Sequence, residues 1–99
     1  MLLPLQITLR NVPRSEELEQ LIRERADRLQ HFTRVVSCRV VVERVGHQGP
    51  SFSVRIDLKM PGSEIAVARQ QNEDVKVGVR DAFDAARRQL EDHVRLQRA

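Results

Sequence analysis

The sequence predicts an α+β domain, in which one four-stranded sheet carries two helices on a single face. Three observations lead to this fold class. Four short segments alternate apolar and polar residues, which is the period of a half-buried strand. Two longer segments repeat apolar residues every three or four positions, which is typical of a one-sided helix. Their order is strand, helix, strand, strand, strand, helix, and one-sided layers bury each other most simply when both helices pack on one sheet face.

The first strand and the first helix occupy the first third of the chain. Apolar and polar residues alternate from Leu5 to Arg10, and Asn11 to Pro13 then interrupts the strand. Ser15 is a suitable N-cap, and the acidic residues after it lie where the helix dipole favours negative charge. We therefore predict a helix from about Ser15 to Phe32.

Three strands and a second helix complete the chain. The predicted bounds are about 35–43, 54–59 and 64–70 for the strands, and 72 or 74 to about 95 for the helix. The short loops between the last three strands contain Gly and Pro, which favours antiparallel hairpins, whereas the helical crossover favours a right-handed parallel pair of first strands. In the fourth strand we expect Ile65 and Val67 to form the apolar face.

The second helix combines a buried stripe with a basic flank. Its predicted stripe contains Val75, Val79, Ala82, Phe83, Ala86 and Leu90. The same helical period places Lys76, Arg80 and Arg87 together beside this stripe. Gly78 falls on the inward side, where we expect it to allow close packing of the helix on the sheet. A buried stripe with a cationic edge is suited to docking on an anionic surface.

Composition limits the class of function. The 99 residues form one domain, with a net charge of +3 and a pI near 10.0. All 17 basic residues are arginine except Lys59 and Lys76, and the arginine fork matches phosphate groups, although an arginine-rich genome would give the same bias. Three Phe without Trp or Tyr disfavour stacking of single-stranded bases. A single cysteine, Cys38, excludes an internal disulfide, and the chain shows no signal peptide or membrane span, so we expect a cytoplasmic protein.

Candidate catalytic and metal-binding residues form no familiar pattern. The three histidines lack the spacing of metal ligands, no serine lies in a nucleophile elbow, and no glycine-rich phosphate loop is present. The carboxylates of the last helix alternate with arginine at three- and four-residue spacing, which is typical of a solvent-exposed helix face. We therefore expect no catalytic residue, no metal, no cofactor, no small-molecule substrate and no enzyme.

Basic residues of the two helices are the remaining candidates for binding. If the helices lie side by side, their rim presents one patch within reach of backbone phosphates, formed by Arg25, Arg28, Lys76, Arg80, Arg87 and Arg88. Arg25 lies inside the apolar stripe of its helix, so it either extends along the surface or marks a contact with a partner. The open sheet face is the second choice, with Gln6, Thr8, Arg10, Arg39, Arg55, Asp57 and Lys59.

Several residues of the two helices also follow a known family pattern. They are Glu73-Asp74-Val75, Asp84 and Arg88-Gln89-Leu90 in the second helix, and Leu18, Ile22, Arg25, Arg28, Leu29, His31 and Phe32 in the first. In these positions the chain resembles the ribosome hibernation-promoting factor family, also called the ribosome-associated inhibitor, protein Y or sigma-54 modulation family, over about residues 3–95. Two positions depart from the pattern, since Lys76 and Asn72 stand where the family usually has Tyr and His.

The resemblance implies a fold like that of the double-stranded RNA-binding domain, and no catalysis. It implies binding to the small ribosomal subunit and its rRNA near the decoding centre, where the domain would block the mRNA and tRNA sites and silence ribosomes during slow growth. Of the six candidate cations, Arg25, Arg28 and Arg88 match basic positions of the family, and the other three rest on helix geometry. The alternative function is a regulatory module that binds an acidic protein partner.

The sequence leaves three matters open. A homodimer is compatible with it, and so is either pairing or simple silencing of ribosomes. The chain ends soon after its last predicted helix, which suits both a complete ribosome-binding domain over residues 1–99 and the amino-terminal part of a longer protein.

Overall fold

The computed structural model has the predicted architecture, with two helices packed on one face of a four-stranded sheet. The structure describes residues 4–32, 34–46, 49, 51–62 and 65–98. The elements are β1 (Leu5–Arg10), α1 (Glu16–Phe32), β2 (Ser37–Val45), β3 (Ser51–Lys59), β4 (Ile65–Asn72) and α2 (Val75–Arg98). Each strand and helix agrees with its predicted position to within a few residues, because the hydrophobic periods that predict them are regular.

The strands lie in the sheet in chain order. β1 pairs with β2 in parallel across the α1 crossover, whereas β2 with β3 and β3 with β4 are antiparallel. These directions confirm the sequence prediction. Gly46 and Gly62 lie in the two connections with φ of 97° and 86°, a backbone conformation that glycine adopts at little cost. The remaining predicted loop residues His47, Gln48, Pro50 and Ser63, and Glu64 of the predicted fourth strand, lie outside the described residues.

Both helices begin at a side-chain cap. The Ser15 hydroxyl oxygen accepts a hydrogen bond of 3.3 Å from the backbone N–H three residues later, which confirms the predicted N-cap. The Asp74 Oδ1 atom accepts hydrogen bonds from the backbone N–H groups of Lys76 at 2.9 Å and Val77 at 3.3 Å. The Asn72 side chain in turn accepts a 2.8 Å hydrogen bond from the Asp74 N–H. Of the two predicted helix starts, Asp74 is therefore the N-cap and Asn72 belongs to the preceding turn.

The core fills the space between the sheet and the helices. Its main members are Leu18, Ile22, Ala26 and Leu29 of α1, Cys38, Val40 and Val42 of β2, Val54, Ile56 and Leu58 of β3, and Val79, Ala82, Phe83, Ala86 and Leu90 of α2. The predicted stripe of α2 is confirmed, with Val75 partly buried at its edge. Within the described ranges no polar or charged residue is buried. All charged side chains described here are therefore available to solvent or to a partner.

β4 buries the face opposite to the one that the sequence predicts. Ala68 is 2% exposed, whereas Val67 is 37% exposed. Ala68 lies opposite Ile56 of the core in the antiparallel register, so its side chain points toward the helices. The prediction that Val67 faces inward was wrong, because alternation in an apolar segment fits either phase and only the register selects one.

Gly78 allows α2 to approach the sheet closely. A Cβ atom at this position would lie 3.3 Å from Val54 Cγ2 and 3.5 Å from Asn72 Cβ. Because Val54 is fully buried, it has little room to move away. The predicted packing role of Gly78 is confirmed.

Candidate nucleic-acid interface

The two helices run side by side in the same direction. Near their starts, the Lys76 ammonium lies 2.7 Å from Glu17 Oε2. Farther along, Arg28 of α1 and Arg87 of α2 line one shared groove. Side chains from both helices therefore meet at two places, where they form two grooves of different charge.

The groove near the helix ends, here the arginine groove, is lined by Arg25, Arg28, Leu29, His31, Phe83, Asp84 and Arg87. Its floor is apolar, since Leu29 and Phe83 are each 3% exposed. Arg25 and Arg28 form no ion pair with any residue that the structure describes, whereas Arg87 Nε lies 3.3 Å from Glu91 Oε1. Three guanidinium groups face one lining carboxylate, an arrangement that suits an oxyanion such as a backbone phosphate.

The groove near the helix starts, here the mixed groove, is lined by Glu17, Gln20, Leu21, Glu24, Lys76 and Arg80. Lys76 donates a hydrogen bond to Glu17, and this bond together with the lysine charge lowers the pKa of Glu17. Two cations and two carboxylates balance each other here. Lys76, which replaces the family's usual Tyr, therefore links the starts of the two helices, and the mixed groove attracts an anion less than the arginine groove does.

The structure divides the six predicted cations among three places. Arg25, Arg28 and Arg87 line the arginine groove, Lys76 and Arg80 line the mixed groove, and Arg88 is exposed and lines neither. Arg88 differs in direction from Arg87 because successive residues of a helix are turned by about 100°. The expected single patch is thus interrupted by carboxylates of α1, which the sequence of α2 does not reveal. An RNA-binding role of each cation stays a prediction.

The open sheet face carries one cation that sequence reasoning missed. The residues predicted for this face lie there, because their neighbours in each strand point into the core. Arg69 joins them, since it pairs directly with Arg55 of β3. The sequence carries no signal for Arg69, because a two-residue turn at Pro61 and Gly62 would pair Arg55 with Ala68, whereas the observed register pairs Arg55 with Arg69.

Parts of the family pattern have structural roles. Asp74 caps α2, and Leu90 is fully buried in the core. The Gln89 side-chain amide donates a 2.7 Å hydrogen bond to the Val67 carbonyl oxygen on β4. β4 is the last strand of the sheet, so this bond satisfies a backbone group that would otherwise lie at an open edge.

Two groups that often carry chemistry, metal ligands and a thiol, can be placed in the described part of the chain. Among the described residues, no three His, Cys, Asp or Glu side chains are grouped so that they could hold a metal ion. Burial, with a smaller effect of the nearby Asp57 charge, raises the pKa of the Cys38 thiol to about 12. A neutral buried thiol is a poor nucleophile. None of the helices in the described ranges is long and apolar enough to cross a membrane.

These features define a class of protein: an α+β domain that presents arginines on its helical layer. The chain belongs to the sigma 54 modulation protein / S30EA ribosomal protein family, whose sequence profile matches residues 5–98. Membership confirms the resemblance seen in the sequence. It also confirms that the chain is not an enzyme, because the proteins of this family are ribosome-associated binding factors.

The solved structures that are similar to this chain include the following two. The N-terminal domain of Thermus thermophilus protein Y has a TM-score of 0.77 at 17% identity, over 94% of this chain and 99% of that one. A ribosomal subunit interface protein from Coxiella burnetii has a TM-score of 0.80 at 20% identity, over 92% and 97% of the two chains. At these identities the similarity establishes the fold. No curated protein matches the chain.

Proposed function

We propose that this chain is a cytoplasmic ribosome hibernation factor that binds rRNA of the small subunit near the decoding centre and blocks the mRNA and tRNA sites. The proposal starts from membership of a ribosome-associated family. The similar protein from Coxiella burnetii is named for the ribosomal subunit interface, which supports a location between the subunits. The arginine groove is the observation that carries the RNA contact.

The arginine groove gathers hydrogen-bond donors for a phosphate from both helices. Its three arginines project from two helices whose contact is held by a shared apolar floor of Leu29 and Phe83. Each guanidinium presents N–H donors in a planar fork that fits two oxygens of a phosphate. The helices already hold the backbones of these arginines close together, so binding has to order the arginine side chains but not the helices.

Inhibition then follows from occupancy and requires no chemical step. A folded domain held in the channel of the small subunit excludes mRNA and tRNA by its volume. Phosphate contacts depend little on base sequence, which suits a helical layer that exposes no Phe, Tyr or Trp ring among the residues whose side chains are described. Binding of this kind weakens steeply with salt, because each contact releases counterions.

Co-sedimentation with purified small ribosomal subunits on a sucrose gradient tests the proposal. The groove variant carries Arg25→Gln, Arg28→Gln and Arg87→Gln. The control variant carries Arg23→Gln, Arg44→Gln and Arg95→Gln, which removes the same charge from exposed positions outside both grooves. We expect the parent and the control to travel with the subunits, and the groove variant to stay near the top.

A salt titration makes the comparison quantitative. Each lost phosphate contact lowers the slope of log affinity against log salt by about 1, so the groove variant should lose about 3 relative to the parent. Equal slopes for the groove and control variants would place the RNA site elsewhere. A parent chain that never travels with ribosomes would contradict the proposed function and favour the acidic protein partner.

A further inference from the structure

The open sheet face concentrates the positive charge of the molecule. Its described charged residues are the cations Arg10, Arg39, Arg55, Lys59 and Arg69 and the carboxylates Glu43 and Asp57. This face therefore carries a net charge of +3, which equals the net charge of the whole chain. All other residues together are formally neutral, so the charge excess lies on the sheet face and not on the helices.

Three of these cations have no described carboxylate as a partner. Arg10 Nη1 lies 3.5 Å from Glu43, and Arg55 Nε lies 2.9 Å from Asp57 Oδ1, so both carboxylates of the face are already paired. Arg39, Lys59 and Arg69 are exposed and form no ion pair within the described part of the chain.

The pairing of β3 with β4 places like charges against each other. Arg55 and Arg69 are direct partners in the antiparallel register. Side chains at such positions have Cβ atoms about 4.5–5.5 Å apart, and like charges there destabilise a sheet. The same cross-strand row continues through Val41 and Thr8 and contains no carboxylate. An anion bound between the two arginines would remove this repulsion.

We propose that the open sheet face is a second RNA-binding surface, which contacts backbone phosphates of an RNA segment other than the one in the arginine groove. The identification of the partner as RNA rests on the proposed function. The charge of the face and the register of its strands support a binding surface independently of that function. Arginine forks match phosphate oxygens, and the described part of this face has no aromatic ring to stack a base. Among the large hydrophobic residues of this face whose burial is described, only Val67 is exposed, at 37%, which is unlike the core of a protein interface.

The position of this face has a consequence for how the domain is held. The helices cover one side of the sheet and the basic residues of the open face cover the other. The domain therefore binds between two RNA segments, with one backbone against the helices and one against the sheet. Once one face is bound, the contact of the other face forms within the complex. Dissociation from two contacts is therefore slower than from either contact alone.

The test uses a sheet-face variant with Arg39→Gln, Lys59→Gln and Arg69→Gln. None of these changes leaves a described carboxylate without its partner. Affinity for small ribosomal subunits is measured from 50 to 200 mM salt beside the control variant Arg23→Gln, Arg44→Gln and Arg95→Gln. For the sheet-face variant, the slope of log affinity against log salt should be smaller by about 3. The loss of affinity between 50 and 200 mM salt should therefore be about 60-fold smaller for this variant than for the parent.

A short RNA duplex without ribosomal proteins supplies the second measurement. We expect the parent to bind two duplexes in sedimentation experiments, and the sheet-face variant and the groove variant to bind one each. The melting temperature of the sheet-face variant should not fall, because Arg69→Gln removes a like-charge pair. If the triple variant fails to fold, Arg69→Gln alone tests the same contact through a slope change of about 1.

The outcomes separate this inference from the proposed function. A sheet-face variant with the parental slope and two bound duplexes overturns the inference, whereas loss of binding by the groove variant alone still supports the function. If the parent does not bind subunits, the proposed function fails. The number of RNA duplexes bound by the parent and by the sheet-face variant then decides whether the sheet face binds RNA. Loss of subunit binding with unchanged duplex binding would assign the face to a ribosomal protein and overturn the RNA contact.

Discussion

Replacing Asp74 by alanine tests whether the acidic residue of the family pattern acts as a helix cap. The Asp74 carboxylate accepts hydrogen bonds from the backbone N–H groups of Lys76 and Val77, at 2.9 and 3.3 Å. These groups belong to the first turn of α2, where a helix has no internal acceptor for them. Asp74→Ala leaves both N–H groups to water and removes a negative charge from the positive end of the helix dipole.

The two effects have known sizes. Loss of an N-cap costs about 1 kcal/mol, and loss of a charge at an exposed helix N-terminus costs about 0.5 kcal/mol. Together they lower the free energy of unfolding by about 1.5 kcal/mol. For a domain of this length each kcal/mol shifts the melting temperature by about 4–8 °C, so we expect a decrease of about 6–12 °C.

Thermal and urea unfolding, followed by circular dichroism at neutral pH, measure this change. Asp74→Asn keeps the acceptor oxygen and loses only the charge, so it should cost about 0.5 kcal/mol. Asp81→Ala is the matched control, because Asp81 is an exposed carboxylate of the same helix that does not cap it. The capping argument fails if Asp74→Ala loses no more stability than Asp81→Ala, or if Asp74→Asn loses as much as Asp74→Ala.

Three further predictions concern the core, an ion pair and the thiol. Phe83→Ala should lower the free energy of unfolding in urea by about 3–5 kcal/mol, and Phe83→Leu by less than about 1.5, because the ring is 3% exposed. The ion pair with Lys76 lowers the pKa of Glu17. Its stabilisation of the fold is therefore present above the ordinary glutamate pKa and is lost as pH falls through the lowered value. In an NMR titration, Lys76→Met should raise the pH of the Glu17 midpoint. With a pKa of about 12, Cys38 should resist iodoacetamide at pH 8 in the folded protein and react after unfolding, as mass spectrometry would show.

The elements of the fold were predictable where one strong local period described them. The stripe of α2 around Val79 and Leu90 shows which side of that helix is buried, because 3.6 residues per turn leave one choice of face. The fourth strand lacked such a signal, since small and apolar residues occupy both of its faces. Whether Ala68 or Val67 pointed inward depended on the hydrogen-bond register with β3, which is a property of two strands together.

The sequence predicted which residues form the candidate site, but not how they are arranged in space. Arg25, Arg28 and Arg87 were identified from the helical period and the family pattern, and they meet in one groove. The same reasoning included Lys76, whose ammonium instead pairs with Glu17 of the other helix. No pattern within α2 reveals that partner, because the two residues are 59 positions apart in the chain.

Local sequence thus specified the order of the strands and helices, the cap at Ser15 and the family, because each depends on residues a few positions apart or on a pattern kept along the chain. The distribution of charge was decided only when the helices and strands packed. Packing of the helices brings Lys76 next to Glu17, and pairing of the strands brings Arg69 next to Arg55. Electrostatic interactions depend on distance in space, and the folded chain sets those distances.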